Sequence, residues 1–298
     1  MAPAHSIKLM SASRGVAGLT TGLSVRKMEV DTKAMEVVLD KSYLHQVGPK
    51  KMAEFCSSYQ GLMPESLFYE LLTTSPKNRA KCFRNLPKVE NPLVLVKSVG
   101  SILRAEVEKK APFADIKDAS IHIRYMFNRN LINPHHEFTN EQKYSISQWK
   151  KDITLRVYDF KQKAAVVSGW FPRIKGFKAG SDPKPIEEAK QLVCRDSGVV
   201  REIYERIRNQ AFPPAEMVDE RWGLFREIQV YVVAALDYVF MYGDNNPDAL
   251  SRKIENEYLD LEYCITASLV GALASQDKRM IGRFKSVRPD GFVLCQGC

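Results

Sequence analysis

The sequence contains no apolar run of the ~18 residues a membrane-spanning helix needs, so none is expected. It has no internal repeat and no low-complexity tract. Its six cysteines, Cys56, Cys82, Cys194, Cys264, Cys295 and Cys298, are scattered. There is no pair of CxxC elements, only Cys295-Gln-Gly-Cys298 standing alone. The five histidines supply no matching ligand pair, which argues against both a disulfide framework and a zinc ribbon. His135-His136 are adjacent on an expected loop, and adjacent residues rarely converge on one ion. A reducing, cytoplasmic setting is the simplest reading. Residues 1–33 are poor in acids. They carry Lys8, Arg14, Arg26 and Lys27 among many Ser, Gly and Ala, as transit peptides do. A start at Met28 or Met35 is equally compatible, and this segment is expected to be loosely ordered.

What is present is an ordinary globular balance. Hydrophobic residues make up 45% and charged residues 27% of 298, enough for a sizeable core in one large domain or two modest ones. The net charge of +9 comes from 44 Lys+Arg against 35 Asp+Glu. It is concentrated. Between Lys77 and Lys184 there are 22 basic and 10 acidic residues, a net of +12, against 22 and 25, a net of −3, elsewhere. Such a middle attracts phosphate polyanions or simply keeps a surface solvated.

Ala34–Leu39 reads as a buried strand that ends in Asp40. Gly48-Pro49 opens a helix to about Tyr59, with Pro at a tolerated early position. Gly61-Leu62-Met63 is a short extended piece. Pro64 then starts a helix carrying Leu67, Phe68, Glu70 and Leu71. Phe113, Ile116, Ser120, Ile123 and Phe127 recur at helical spacing. Thr139 with Gln142 has capping-box spacing. It precedes Ile146, Trp149, Ile153, Val157, Phe160, Ala164 and Val167, the stripe of one long amphipathic helix. Trp170 to Lys184 is expected to be a loop. Helices resume over Glu187–Asn209, interrupted near Gly198, and again from Trp222 to Tyr242, closed by Asp244-Asn245-Asn246-Pro247. A final helix runs from about Tyr258 to Val270, with Gly271 placed to end it. Ala272–Ser275 and Phe292–Leu294 are short strands.

Apolar runs thus deliver carboxylates at their ends or onto the next helix: Asp40, Glu70, Asp260 and Asp277. In open α/β sheets ligands bind at the carboxyl ends of the strands. Asp40 and Asp277 both project there if their strands are parallel neighbours. Gathered carboxylates repel one another, and a cation relieves that cost. Mg²⁺ and Mn²⁺ prefer such oxygen ligands. By spacing alone, most such residues cap helices or face solvent.

The local contexts add to this. Val37-Val38-Leu39-Asp40-Lys41-Ser42-Tyr43-Leu44 resembles the first strand of the PIN-domain nuclease family, where Asp is followed two residues later by Ser or Thr. Met63-Pro64-Glu65-Ser66-Leu67-Phe68-Tyr69-Glu70 resembles its second strand and the helix bearing an acidic residue. Leu259-Asp260-Leu261-Glu262-Tyr263 and Ala274-Ser275-Gln276-Asp277 resemble the third and fourth acidic positions. The resemblance covers blocks 34–75 and 255–295. About 190 residues separate Glu70 from Asp260, more than in compact members. A helical insertion over approximately 77–250 within one PIN-like domain, 34–298, is therefore expected.

The resemblance implies a parallel sheet flanked by helices and metal-dependent cleavage of a phosphodiester, usually in RNA. Asp40, Glu70, Asp260 and Asp277 would hold Mg²⁺ or Mn²⁺, with Ser42 and Ser275 bonding the carboxylates or a metal water. Glu257 and Glu262 are alternatives to Asp260. Nucleic acid is the implied partner, and no membrane. A homo-oligomer or an inhibitor protein stays open. For phosphate contact, Lys278 and Arg279 flank Asp277. Trp170, Phe171, Arg173, Lys175, Phe177 and Lys178 interleave aromatic and basic side chains, as a single-strand binder would or as a loop anchor would. Lys150, Lys151 and Arg156 form a second basic track, and Arg226 could take a phosphate or pair structurally. The rival readings are a nucleic-acid-binding module without catalysis and a scaffold whose long helices bind partners.

Overall fold

Met35–Leu39 forms β1, a Val-Val-Leu strand whose last three residues are fully buried. The structure, a computed structural model, describes residues 34–88, 92–113, 129–208, 210–243 and 252–296. Residues 1–33, the stretch 114–128 of the expected Phe113–Phe127 helix, the Asp244–Pro247 turn and Cys298 lie outside them. Among the described cysteines, Cys56, Cys82, Cys194 and Cys264 are thiols and Cys295 is disulfide-bonded.

The described residues divide into two compact units. One draws on 34–98, 129–153 and 262–296, the other on 99–113 and 154–261. The first is built on a sheet. After β1 come α1 (Lys41–Gln46), α2 (Pro49–Ser58), β2 (Tyr59–Pro64), α3 (Glu65–Thr73), α4 (Pro76–Asn85) and β3 (Val94–Val96). β4 (Ala272–Ala274), α11 (Lys278–Val287) and β5 (Phe292–Leu294) complete it. All pairings are parallel, in the order β3-β2-β1-β4-β5. Val38 pairs with Leu62 on one side and Leu273 on the other, which fixes β1 at the centre. A parallel strand covered on both faces needs apolar residues throughout rather than alternation, which accounts for the continuous Val37-Val38-Leu39 run. The fold is therefore α/β, with a five-stranded all-parallel sheet and flanking helices.

Residues 77–98, expected within the helical insertion, instead supply most of α4 and the edge strand β3. β3 is three residues long, too short to show a period. The helix α11 was also not expected. Its apolar residues Met280, Phe284 and Val287 are buried at helical spacing.

Gly61 lies where β2 passes close to its neighbours. An added Cβ would come within 2.4 Å of Leu93 Cδ2 and 2.9 Å of Phe55 Cε1, both in buried side chains. Overpacking of this kind costs about 1–3 kcal/mol. Gly61→Ala is expected to lower stability by that amount in chemical denaturation. An unchanged midpoint would mean that Leu93 moves aside freely.

The second unit is helical. It contains α5 (Val99–Lys109), α7 (Lys184–Arg195), α8 (Ser197–Ile207) and α9 (Gly223–Tyr242). The unit boundaries fall within α6 (Asn140–Val167) and α10 (Arg252–Val270). The capping box that starts α6 is present in both directions. Thr139 N–H donates to Gln142 Oε1 at 3.0 Å, and Gln142 N–H donates to Thr139 Oγ1 at 3.3 Å. The break between α7 and α8 falls at Asp196, near Gly198 as expected, because Asp196 caps α8 by accepting the Gly198 N–H at 2.8 Å. α10 starts six residues before Tyr258 and ends at Gly271, whose φ of 85° only glycine adopts readily.

Candidate active site

The sheet order creates a switch point. From β1 the chain moves outward through β2 to β3, then returns to β4 on β1's other side. Crevices at such points, at the carboxyl ends of the strands, are where α/β sheets place ligands. Asp40 follows β1 there and Asp277 follows β4.

Asp40 is 5% exposed, and its N–H extends the ladder by donating to the Ala274 carbonyl at 3.0 Å. Its Oδ2 accepts from two hydroxyls, Ser42 Oγ and Ser275 Oγ, each at 2.5 Å. The direction of these bonds is fixed from behind. Ser42 Oγ accepts the Gln276 N–H at 2.8 Å, and Ser275 Oγ accepts the Asp277 N–H at 3.0 Å. Each hydroxyl is thus an acceptor from backbone and a donor to carboxylate. Two relays of hydrogen bonds end on Asp40, one of them running from the residue that carries the second carboxylate. Ser42 and Ser275 thus both donate to the one Asp40 oxygen.

Asp40 and Asp277 also cap helices. Asp40 Oδ1 accepts the Ser42 N–H at 3.3 Å, at the start of α1. Asp277 Oδ1 accepts the N–H groups of Arg279 at 2.7 Å and Met280 at 3.3 Å, at the start of α11. Asp277 is exposed, and so are Lys278 and Arg279 in the first turn of α11.

Glu70 on α3 is held differently. Lys41 Nζ donates to Oε1 at 2.9 Å, and the Tyr263 hydroxyl donates to Oε2 at 2.8 Å. Both oxygens are engaged, one by a cation. Asp260 is half-buried on α10, three residues before Tyr263. Of its alternatives, Glu257 is half-buried and Glu262 is buried.

Among the described residues no group of three or more His, Cys, Asp or Glu side chains that could hold a metal ion is found. Glu70 is taken by Lys41 and Tyr263, and Asp277 turns one oxygen to its own helix. The donor chemistry, hard carboxylate oxygens, suits Mg²⁺ or Mn²⁺. Sequence reasoning missed Lys41 and Tyr263. Lys41 stands between the two residues of the Asp-x-Ser pattern, and Tyr263 lies in the block around Asp260, but neither spacing signals a bond to Glu70.

The surrounding candidates separate clearly. In the loop after α6, Phe171 and Ile174 are buried, Trp170 is half-buried against an apolar cavity, and Phe177 packs on Phe240 with ring centroids 6.4 Å apart. The aromatic side chains anchor the loop. Lys175 and Lys178 are exposed, and Arg173 pairs with Glu188 at 3.0 Å. Lys150 and Lys151 are exposed, while Arg156 is half-buried. Arg226 is buried and structural. It donates to the Glu220 carbonyl and to Gln229 Oε1, both at 2.9 Å. His135 is exposed, and the His136 carbonyl accepts from Arg79 Nη2 at 3.0 Å. Comparison of the chain with models of known protein families, with curated proteins and with solved structures finds no match.

Proposed function

We propose that the chain is a PIN-like, metal-dependent nuclease that hydrolyses phosphodiester bonds in RNA, acting as an endonuclease. The observation that carries this reading is the linkage at the switch point. A buried Asp40 after β1 is tied through Ser275 to Asp277 after the neighbouring strand β4. The all-parallel order β3-β2-β1-β4-β5 and the basic stretch Lys77–Lys184 support it further.

In this reading Asp40, Glu70, Asp260 and Asp277 are the groups that hold Mg²⁺ or Mn²⁺. Such an ion supplies a water of lowered pKa and charge for the leaving oxygen. The chain's own contribution is positional. Ser42 and Ser275 fix the Asp40 carboxylate and keep its lone pairs in one orientation. Lys278 and Arg279 bring positive charge to the same sheet edge, where a phosphate backbone would lie. On the loop after α6, Trp170, Arg173 and Lys175 are the residues proposed to bind nucleic acid, Arg173 after release from its pair with Glu188.

The test is incubation of purified protein with labelled RNA and DNA oligonucleotides in Mn²⁺, Mg²⁺ or EDTA. Shortened RNA products with metal, and none with EDTA, are expected. A second reading, a nucleic-acid-binding module without catalysis, is favoured by the Lys41–Glu70 pair, which neutralises one acidic position. Retention of RNA with no product in any metal would select it.

A further inference from the structure

We propose that the exposed face of α4 is a track for the phosphate backbone of RNA, with Lys77, Lys81 and Arg84 as its cations. The inference rests on the nuclease reading, because it names the surface that brings RNA to the Asp40 site.

From Pro76 to Lys88 the chain has five cations, Lys77, Arg79, Lys81, Arg84 and Lys88, and no acid. Lys77, Lys81 and Arg84 follow one another at spacings of four and three, which puts them on one helix face. They span about 10 Å of the helix axis. All three are exposed, while Arg79, Ala80, Cys82 and Phe83 are buried. Among the described residues Lys77 and Lys81 have neither an ion pair nor a hydrogen bond. Arg84 has one long bond, from Nη2 to the Ile132 carbonyl at 3.5 Å, which leaves its charge uncompensated. Cations of the helical unit are held otherwise. Arg206 pairs with Glu202, Arg208 with Glu205 and Arg221 with Asp219, each on an acid two to four positions away. Even the buried Arg79 meets no carboxylate among the described residues. Its Nη2 donates to the His136 carbonyl at 3.0 Å, and its guanidinium lies 4.6 Å from the centre of the Phe138 ring. α4 therefore keeps its full positive charge for an outside partner.

The complement of this face is a polyanion, and its lack of apolar residues selects the kind. An anionic membrane is met by an amphipathic helix that inserts apolar side chains, but α4 buries its own. A protein partner is met by an aromatic or aliphatic anchor, and none is exposed between Lys77 and Arg84. Phosphates in a row need only cations in a row, which fix the backbone without reading its sequence. The track also borders the site. α4 packs against α1, which starts after Asp40, and against α3, which carries Glu70. Asn85 Nδ2 donates to the Leu44 carbonyl at 2.8 Å, and Cys82 lies near enough to Lys41 and Glu70 to feel both charges. A strand held on Lys77, Lys81 and Arg84 therefore runs beside the helices that frame these carboxylates.

Binding of the full chain to labelled oligo(U) RNA in EDTA, followed by fluorescence anisotropy over a range of KCl, tests this. Lys77→Gln/Lys81→Gln removes two phosphate contacts and should weaken binding about tenfold at ~0.1 M salt. It should also make the slope of log K against log salt shallower by about one and a half. Adding Arg84→Gln should extend both effects. Arg206→Gln/Arg221→Gln makes the same change in net charge at cations that already have partners, and should bind RNA as wild type does. Exposed substitutions of this kind leave the fold intact, and a urea midpoint for each variant checks that. Unchanged affinity and slope in Lys77→Gln/Lys81→Gln overturns the proposal, and so does an equal loss in Arg206→Gln/Arg221→Gln. Binding to phosphatidylserine vesicles or to polyglutamate in place of RNA overturns it as well. The cleavage assay separates the track from the nuclease reading. RNA binding that weakens in Lys77→Gln/Lys81→Gln, with no products from wild type in any metal, leaves the track standing and removes the nuclease. RNA products from wild type, with unaltered RNA affinity in the variant, do the reverse.

Discussion

Asp40→Asn is expected to lower metal-dependent RNA cleavage by about a thousandfold or more, while the protein stays folded. The argument is the hydrogen-bond direction around this residue. Two hydroxyls donate to Oδ2, and each is held as a donor by a backbone N–H behind it. An asparagine can place its carbonyl oxygen where Oδ2 lies and accept both. Its amide then faces the Ser42 N–H, which Oδ1 accepts at 3.3 Å, so one weak cap bond becomes a donor–donor contact. That costs about 1 kcal/mol. The charge, however, is gone. A neutral amide neither attracts a divalent cation nor stabilises a water activated by one. Asp40→Ala is a poorer test, because it strands two hydroxyls at a site that is 5% exposed and costs about 2–4 kcal/mol. The measurement is the initial cleavage rate with Mn²⁺, alongside a urea midpoint for each variant. A folded Asp40→Asn protein that cuts RNA at the wild-type rate removes Asp40 from the site and the PIN-like reading with it.

The same residue shows how far the sequence could be read. β1 was legible because a central parallel strand must be apolar on both faces, and Asp40 because the run stops there. The Asp-x-Ser and Ser-x-Asp patterns are local, so their mutual placement needed only that β1 and β4 be parallel neighbours, as they are. Long helices with a clear stripe, α6 and α9, were legible for the same reason. The edge strand β3 was not, since three residues carry no period. α11 was hidden because it starts at Asp277, whose acidic side chain reads as a ligand as readily as an N-cap. The Lys41–Glu70 bond spans 29 positions and depends on where α1 and α3 lie on the sheet. No spacing rule encodes that contact.

Glu106 carries the largest expected effect on stability, and it lies outside the proposed chemistry. It is fully buried on α5, yet no cation is bonded to it among the contacts described. Its Oε1 accepts the N–H groups of Gly223 at 2.7 Å and Phe113 at 3.1 Å, and its Oε2 accepts the Leu224 N–H at 3.0 Å. Gly223 and Leu224 open α9, whose preceding residue, Trp222, makes no side-chain cap. Glu106 is therefore the cap, supplied from another helix, and it sits at the positive end of the α9 dipole. Glu106→Ala leaves these N–H groups without an acceptor in a dry interior and opens a cavity, for an expected loss of about 3–5 kcal/mol. Glu106→Gln keeps the shape but turns an amide donor toward one of the N–H groups, for about 1–3 kcal/mol. The pH dependence separates cap from charge. Burial raises the Glu106 carboxyl above its ordinary value of 4.5, and the three N–H donors offset this only in part. With the folded value above the unfolded one, this group's contribution is fully present below about pH 4.5. It is lost as pH rises through the folded value. The wild type should therefore show that decline in urea midpoints, and Glu106→Gln, which cannot titrate, should show it less. Fluorescence of Trp222, buried beside the cap, is a suitable probe. Equal midpoints for wild type and Glu106→Ala would mean that α9 does not depend on this carboxylate to begin.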